Sequence, residues 1–306
     1  MKYSFATLSF ALFLLSLATG ADGPQVADGK DHGDPPYLLE NGWTPLLNGK
    51  NLDGWRYYDD RGGWTATKGV LWGGTTNPRQ LLAMPEPGDR IVNTGKEVGR
   101  AANLVAMHKF ADLPKEKLDF TPFGPSNLVT KQRFGDLELY LEFMCADRSN
   151  SGAYIHGLYE VQITDSYGRD ANGHFTNYAG AIYNYQPGSA AARAALSTAK
   201  PVPDGWKPFG GVPPRIRAER PAGQWQSFHI WFQAPRFDAA GKKTANAKFL
   251  RVIFNGTLIQ EMVERLEPTQ EAMNIPEASM NPIMLQGDHG PIAFRNIYIR
   301  PLRALP

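Results

Sequence analysis

Two-residue alternation of apolar and polar positions is the dominant rhythm of this chain. It is clearest over Asp136–Met144, where Leu137, Leu139, Leu141 and Phe143 share one side and Glu138, Tyr140, Glu142 and Met144 the other. A period of two sends successive side chains to opposite faces of a sheet, which predicts a strand with one face on a core. Residues 158–164 repeat the pattern, with Leu158, Glu160, Gln162 and Thr164 alternating with Tyr159, Val161 and Ile163. In Gln226–Phe232, the side chains Phe228, Ile230 and Phe232 oppose Ser227, His229 and Trp231. Lys248–Ile259 reads as two strands joined at Asn255-Gly256, a dipeptide that supplies the two positive φ angles of a tight hairpin turn. Ile283–Gln286 and Ile292–Arg300 close the chain as strands. Seven or more such runs, and no long amphipathic helix, predict an all-β antiparallel β-sandwich.

Residues 84–126, 186–222 and 234–247 break the rhythm and read as long loops, a class more often functional than core-forming. Ala190–Ala195 and residues 110–118 have the composition of short helices. At the N-terminus, Lys2, the apolar run Phe10–Ala18 and the small residues Ala18-Thr19-Gly20 make an export signal. The competing reading is an uncleaved anchor, which the apolar run disfavours by being shorter than the roughly 20 residues that span a bilayer. The expected organisation is therefore a signal peptide over 1–20, a polar lead-in over 21–42 and one domain over 43–302. The destination is periplasmic or extracellular, with no membrane contact after cleavage.

Composition narrows the partners. A net charge of +2 on 306 residues gives no basic or acidic surplus for nucleic acid. Cys145 is the only cysteine, so no intrachain disulfide forms, and its place at a strand end reads as a small buried side chain. The surplus lies in 31 Gly, 24 Pro, 7 Trp, 12 Tyr and 16 Phe, which suits short strands, turns and aromatic platforms.

Several blocks then resemble one family in order: Trp43–Trp55 (WTPLLNGKNLDGW), Asn127–Phe143 running on to Asn150-Ser151-Gly152, Tyr159–Asp165 (YEVQITD) with Gly180–Tyr183, Trp225–Trp231 with Asn255-Gly256, and Ile283–Ile299 containing LQGDHGPIAFRNIYI. Together they resemble the 3-keto-disaccharide hydrolase domain of exported bacterial proteins. The resemblance implies a concanavalin-like jelly roll whose concave side carries long loops and binds sugar. It also implies cleavage, by hydrolysis or by elimination and hydration, of glycosides already oxidised to a ketone at C3. The segment before Asn127 and the Pro-rich 186–222 loop are longer than the family pattern.

Ketone chemistry sets the site's requirements. A carbonyl at C3 acidifies the C2 proton, so the site needs a base at C2, donors for oxyanion charge and an acid at the leaving oxygen. Glu160 is the candidate base or acid, because Val161 and Ile163 take the core side and turn it outward; the plain reading is a solvated strand carboxylate. His289, in the Gly287–Gly290 turn, titrates near neutrality, and Arg295 offers five fixed donors; these complete the catalytic set. Arg295 is in phase with Ile297 and Ile299, so a bulge at Arg295-Asn296 is required if they face opposite sides. Substrate-binding candidates are Asn150, His156, Gln162, Asp165, Tyr183 and Trp231. For Asp165 the competing reading is a turn residue, for His156 a loop residue, and for Trp231 core packing. No metal or cofactor motif is present, although single carboxylates leave Ca²⁺ open. The expected ligand is a small saccharide, and the alternative to an enzyme is a noncatalytic, lectin-like binding module. A conventional two-carboxylate glycosidase is disfavoured by Gln162, which stands where a second acid is wanted.

Overall fold

The computed structural model describes residues 42–67, 69–73, 91–93, 104–106, 126–145, 149–169, 175–198, 209–290 and 292–303. The expected export signal, nearly all of the lead-in and the expected helix at 110–118 lie outside these residues.

Two antiparallel sheets form a jelly-roll β-sandwich. The larger sheet has eight strands. Its main path runs β15 (Thr257–Arg265), β14 (Ala247–Phe254), β11 (Gln226–Gln233), β8 (Leu137–Cys145), β17 (Ile292–Pro301), β4 (Val70–Gly73) and β3 (Trp64–Thr67), and β1 (Thr44–Pro45) pairs with β17. The smaller sheet runs β10 (Tyr159–Thr164), β9 (Asn150–Ile155), β16 (Met284–Leu285), β7 (Leu128–Thr130) and β2 (Trp55–Tyr57). Strands from residues 44–73 enter both sheets, so the N-terminal blocks belong to the same sandwich. Two small hairpins stand apart, β5 (Ile91–Asn93) with β6 (Leu104–Ala106) and β12 (Arg236–Phe237) with β13 (Lys243–Ala245). The second of these lies within the 234–247 segment that reads as a loop from sequence. Helix α1 (Ala190–Thr198) extends the expected Ala190–Ala195 helix by a turn.

Alternation decides what enters the core. Leu137, Leu139, Leu141 and Phe143 of β8 meet Phe228, Ile230 and Phe232 of β11 and, from the other sheet, Ala153, Ile155, Val161, Ile163 and Leu285 in one buried cluster. Cys145, the single cysteine of the sequence, is buried in the same cluster. The turn between β14 and β15 has Asn255 at φ 48° and Gly256 at φ 81°, both in the left-handed region that a two-residue hairpin turn requires.

One expectation is modified. The second face of β8 is also buried: Glu138 is 1% and Glu142 3% exposed. Each is compensated there. Arg300 Nη2 donates to Glu138 Oε2 at 2.6 Å, with His229 Nε2 3.4 Å from the same oxygen, and Arg295 Nε donates to Glu142 Oε2 at 2.5 Å. Trp43, Tyr140 and Tyr298 pack on that face beside them.

Candidate functional site

Glu160 lies on the outer face of the smaller sheet, as the Val161 and Ile163 phase requires. It pairs with Tyr154 across β9, and Gln162 pairs with Gly152. Two rows of side chains therefore cross this face. Glu160, Tyr154, Met284, Val129 and Arg56 form one row by successive registers. Continuing each register by one residue gives the second row, Gln162, Gly152, Gln286, Asn127 and Tyr58. Two backbone bonds support it, Gln286 N to Gly152 O at 2.9 Å and Tyr58 N to Asn127 O at 2.8 Å.

A cleft of about 390 Å³ opens over one end of these rows. Asn150, Tyr154, Glu160, Gln162 and Thr164 supply its strand side chains, and Gln286 and His289 come from the chain after β16. Tyr183 enters because residues 180–183 run alongside β10, with Tyr183 N donating to Glu160 O at 3.2 Å and Gly180 N to Gln162 O at 2.8 Å. Gln270 and Glu271 form a wall, anchored where Glu160 N donates to Thr269 Oγ1 at 3.1 Å and Gln270 N to Asn184 O at 2.8 Å. Glu271 is held at φ 60°, an unfavourable conformation for a residue with a Cβ.

Gly152 makes the cleft floor possible. A Cβ at this position would lie 2.3 Å from Glu160 Oε1 and 2.9 Å from a Tyr154 ring carbon. The carboxyl thus occupies space that any other residue would fill. Around it, Asn150 Oδ1, Glu160 Oε2, Gln162 Oε1 and Gln286 Oε1 are buried and have no hydrogen-bond partner among the described residues. An unsatisfied buried acceptor costs on the order of 1–3 kcal/mol, so a ligand bringing several hydroxyl donors relieves a standing penalty.

Burial sets the ionisation of Glu160. Its carboxyl is 2% exposed, and loss of hydration pushes its pKa up to about 8. The hydrogen bond from Tyr154 and the charge of His289 oppose that rise without cancelling it. His289 goes the other way. Burial alone would lower it, but its contacts with Asp288 (Nδ1 to Oδ1, 2.6 Å) and Glu271 (Nε2 to Oε2, 3.3 Å) outweigh burial and raise it to about 9. At neutral pH the cleft therefore holds a largely protonated carboxyl and an imidazolium.

The structure brings together Asn150, Glu160, Gln162, Tyr183 and His289, and separates the other expected residues from them. Arg295 sits on the outer face of the larger sheet, across the core, bound to Glu142 and 4.0 Å above the Trp225 ring. The expected bulge is present: Asn296 has φ 47°, the register shifts between Arg295 and Tyr298, and Ile297 and Ile299 turn into the core. The bulge sends Arg295 to the wrong side of the sandwich for Glu160. Trp231 lies on the same far face, stacked on His229 at 3.5 Å. His156 occupies the left-handed turn after β9, is fully buried, and faces Phe232 at 5.0 Å with Nε2 3.1 Å from Gly135 O. Asp165 accepts from Arg169 Nη2 at 2.6 Å and does not line the cleft. Thr164 was available from the same alternation that marks Glu160 and Gln162, whereas Tyr154 stands in Asn150–Ile155 (NSGAYI), where apolar and polar residues do not alternate cleanly. Gln270 and Glu271 come from a loop with no periodic signal.

Among the described residues, no group of three or more His, Cys, Asp or Glu side chains is placed to hold a metal ion. No helix among them is long and apolar enough to cross a membrane.

Comparisons with known proteins agree with this architecture. A putative glycosyl hydrolase from Parabacteroides distasonis ATCC 8503 has 21% identity and a TM-score of 0.52, covering 86% of this chain and 84% of its own. At this identity the likeness concerns the fold. An alginate lyase solved with an alginate trisaccharide (12% identity, TM-score 0.30, 59% and 76% covered) and an inactivated beta-agarase B solved with agaro-octaose (10%, 0.33, 88% and 87%) are similar at greater distance. No curated protein matches the chain. Residues 118–300, more than half the sequence, match the 3-keto-alpha-glucoside-1,2-lyase-like domain, and the chain belongs to that carbohydrate-active family.

Proposed function

We propose that this protein cleaves glycosides carrying a ketone at C3, by base-promoted elimination in the Glu160 cleft. One observation carries the reading: a buried carboxyl oxygen without a hydrogen-bond partner among the described residues, on a carboxyl whose pKa is raised to about 8, sharing a polar cleft with an imidazolium. A general base works best with a pKa near the operating pH. An ordinary surface glutamate is too weak a base for a proton beside a ketone.

In the proposed step, the Glu160 carboxylate takes the C2 proton. The C2–H electrons form the C1–C2 double bond, and the C1–O bond breaks with its electrons on the leaving oxygen. His289 gives that oxygen a proton, so an alcohol and an unsaturated ketosugar leave. Glu160 then holds one proton more and His289 one fewer, and exchange with solvent restores both. Water adding across the new double bond would complete a net hydrolysis. Asn150, Gln162 and Gln286 accept the ring's hydroxyls, and Tyr183 forms a side of the pocket. The family description, which names a 3-keto-alpha-glucoside 1,2-lyase, supports this substrate class. The export signal read over residues 1–20 would put the reaction outside the cytoplasm.

The test is a matched pair of glycosides, one oxidised at C3 and one not, with release of the leaving alcohol followed over time. Turnover of the ketone alone, abolished in Glu160→Gln, is the expected result. Binding of both without turnover of either would replace this reading with that of a noncatalytic sugar-binding module, and release from the unoxidised glycoside would overturn it in favour of an ordinary glycosidase.

A further inference from the structure

We infer that Tyr154 is a third catalytic residue, whose hydroxyl binds the C3 oxygen of the substrate and stabilises the charge that gathers there when C2 loses its proton. The inference deepens the proposed cleavage and rests on it.

Taking a proton from beside a ketone leaves an enolate with its charge on the ketone oxygen, and that oxygen needs a fixed donor. The sequence assigns this role to Arg295, which the fold places across the core, bound to Glu142. Both ring nitrogens of His289 are held, by Asp288 and Glu271, and its proton goes to the leaving oxygen in the proposed step. The donor at C3 is therefore still to be found.

Tyr154 fills that place by position. It is the cross-strand partner of Glu160 and lines the same cleft. Both side chains rise over Gly152, where an added Cβ would strike Glu160 Oε1 and Tyr154 Cε2. Cε2 is bonded to the carbon that carries the hydroxyl, so carboxyl and hydroxyl converge from neighbouring strands. C2 and C3 are bonded neighbours in the sugar, and base and oxyanion donor must be adjacent in just this way. Val129, Met273 and Met284 pack with the ring in one buried cluster and fix it. The hydroxyl's single proton is lightly held. Gln270 O lies 3.5 Å away, beyond the usual O–H···O length, and the other acceptor is the Glu160 carboxyl itself. Burial and the Glu160 charge push the phenol well above its ordinary pKa, so it donates a hydrogen bond and keeps its proton.

As Glu160 takes the C2 proton, the C2–H pair forms a C2–C3 double bond and a carbonyl pair moves onto the C3 oxygen. Negative charge leaves the carboxylate and appears on that oxygen, and the Tyr154 hydrogen bond follows it. When the pair returns, the C3 carbonyl re-forms and the C2–C3 pair shifts to C1–C2. The C1–O bond then breaks as His289 protonates the leaving oxygen.

The test pairs methyl 3-keto-α-glucoside with 1,5-anhydro-3-ketoglucitol, which has hydrogen in place of a leaving group at C1. In D2O the first reports elimination and the second reports C2–H exchange alone. Tyr154→Phe should lower kcat for both by about 10²–10³, at the pH of each protein's own maximum, with KM little changed. Unchanged rates in the folded variant would overturn the assignment and leave the cleavage reading intact. So would a loss confined to pH values below that maximum, since Tyr154 would then only adjust Glu160. If wild type exchanges C2–H but eliminates nothing, the cleavage reading falls and the exchange rates still decide Tyr154; if it does neither, both fall. A measurement on wild type covers a variant that does not fold. The infrared carbonyl stretch of the bound anhydro-ketone should lie below its value in water, and a stretch at or above that value would overturn the hydrogen bond.

Discussion

Replacing Glu160 with Gln should stabilise this protein at neutral pH, and the effect should grow with pH in a defined window. The carboxyl moves from an ordinary value of 4.5 to about 8 on folding, because burial disfavours the charged form. Between those values the unfolded chain has released the proton and the native chain still binds it. Stability therefore falls as pH rises, by about 1.4 kcal/mol per pH unit for this one group. The accumulated cost is about 3 kcal/mol at pH 7 and about 5 kcal/mol above pH 8, where both states are ionised and the difference stops growing. Gln has nearly the same shape and no such titration.

Urea unfolding of both proteins at pH 5, 6, 7 and 8 measures the difference directly, provided the m-values agree. A changed hydrogen bond to Tyr154 adds a constant offset, so the slope with pH is the diagnostic quantity. The window ends below the titration of His289, raised to about 9, which keeps the imidazolium common to both proteins. The expected result is a variant that gains stability relative to wild type by 1 kcal/mol or slightly more per pH unit. A difference that is flat with pH would mean an unperturbed carboxyl, and a slope of the opposite sign would mean a depressed one. Either result would refute the claim that burial dominates at this position.

Other consequences can be checked in the same preparations. If Glu160 works ionised and His289 protonated, kcat/KM should rise as pH passes about 8 and fall beyond about 9, and a maximum below pH 7 would contradict the assignment. His289→Ala should slow release of alkyl or sugar leaving groups by about 10²–10⁴ but barely affect a nitrophenyl leaving group, and equal losses would remove His289 as the acid. Arg295→Ala strips Glu142 of its cation and should cost about 3 kcal/mol of stability. Because Arg295 lies on the far face, the kcat/KM of the folded variant should match wild type, and a catalytic defect without unfolding would return it to the site.

Much of this arrangement was legible in local pattern. The phase of Val161 and Ile163 placed Glu160 and Gln162 outward, and Asn255-Gly256 named its own turn. Even the bulge at Asn296 followed from the conflict between Arg295 and Ile297. What alternation cannot give is the sheet to which a strand belongs. The outer positions of β17 and β10 look equivalent in sequence, yet long-range pairing puts them on opposite sides of the core, which is why Arg295 and Trp231 were expected beside Glu160 and are not. His156 failed for another reason: the residues after Ile155 turn through a left-handed conformation, and that turn sends the ring against Phe232. Gln270 and Glu271 reach the cleft through contacts between residues more than a hundred positions apart, such as Glu160 with Thr269, and no periodicity records these.

Outward carboxylates occur on both faces, so orientation alone does not mark a reactive group; the counter-ion does. Glu138 is buried, and burial would raise its pKa, but His229 and Arg300 more than reverse that and hold it below the ordinary value. Glu142 likewise has Arg295 at 2.5 Å. Such pairs are committed to each other, since freeing either member leaves a buried charge uncompensated. Glu160 has comparable burial and no ion pair among the described residues. Its positive neighbours, His289 and the fully buried Arg265, act on it through space. Arg265 spends its own donors on the carbonyls of Gly210 and Tyr183, both at 2.9 Å. It thereby braces the Tyr183 side of the cleft and makes no ion pair with the carboxyl. A carboxyl kept dry, without an ion pair among the described residues and faced with acceptors retains its proton until a substrate or rising pH removes it, and once ionised it is a far stronger base than Glu138 across the core.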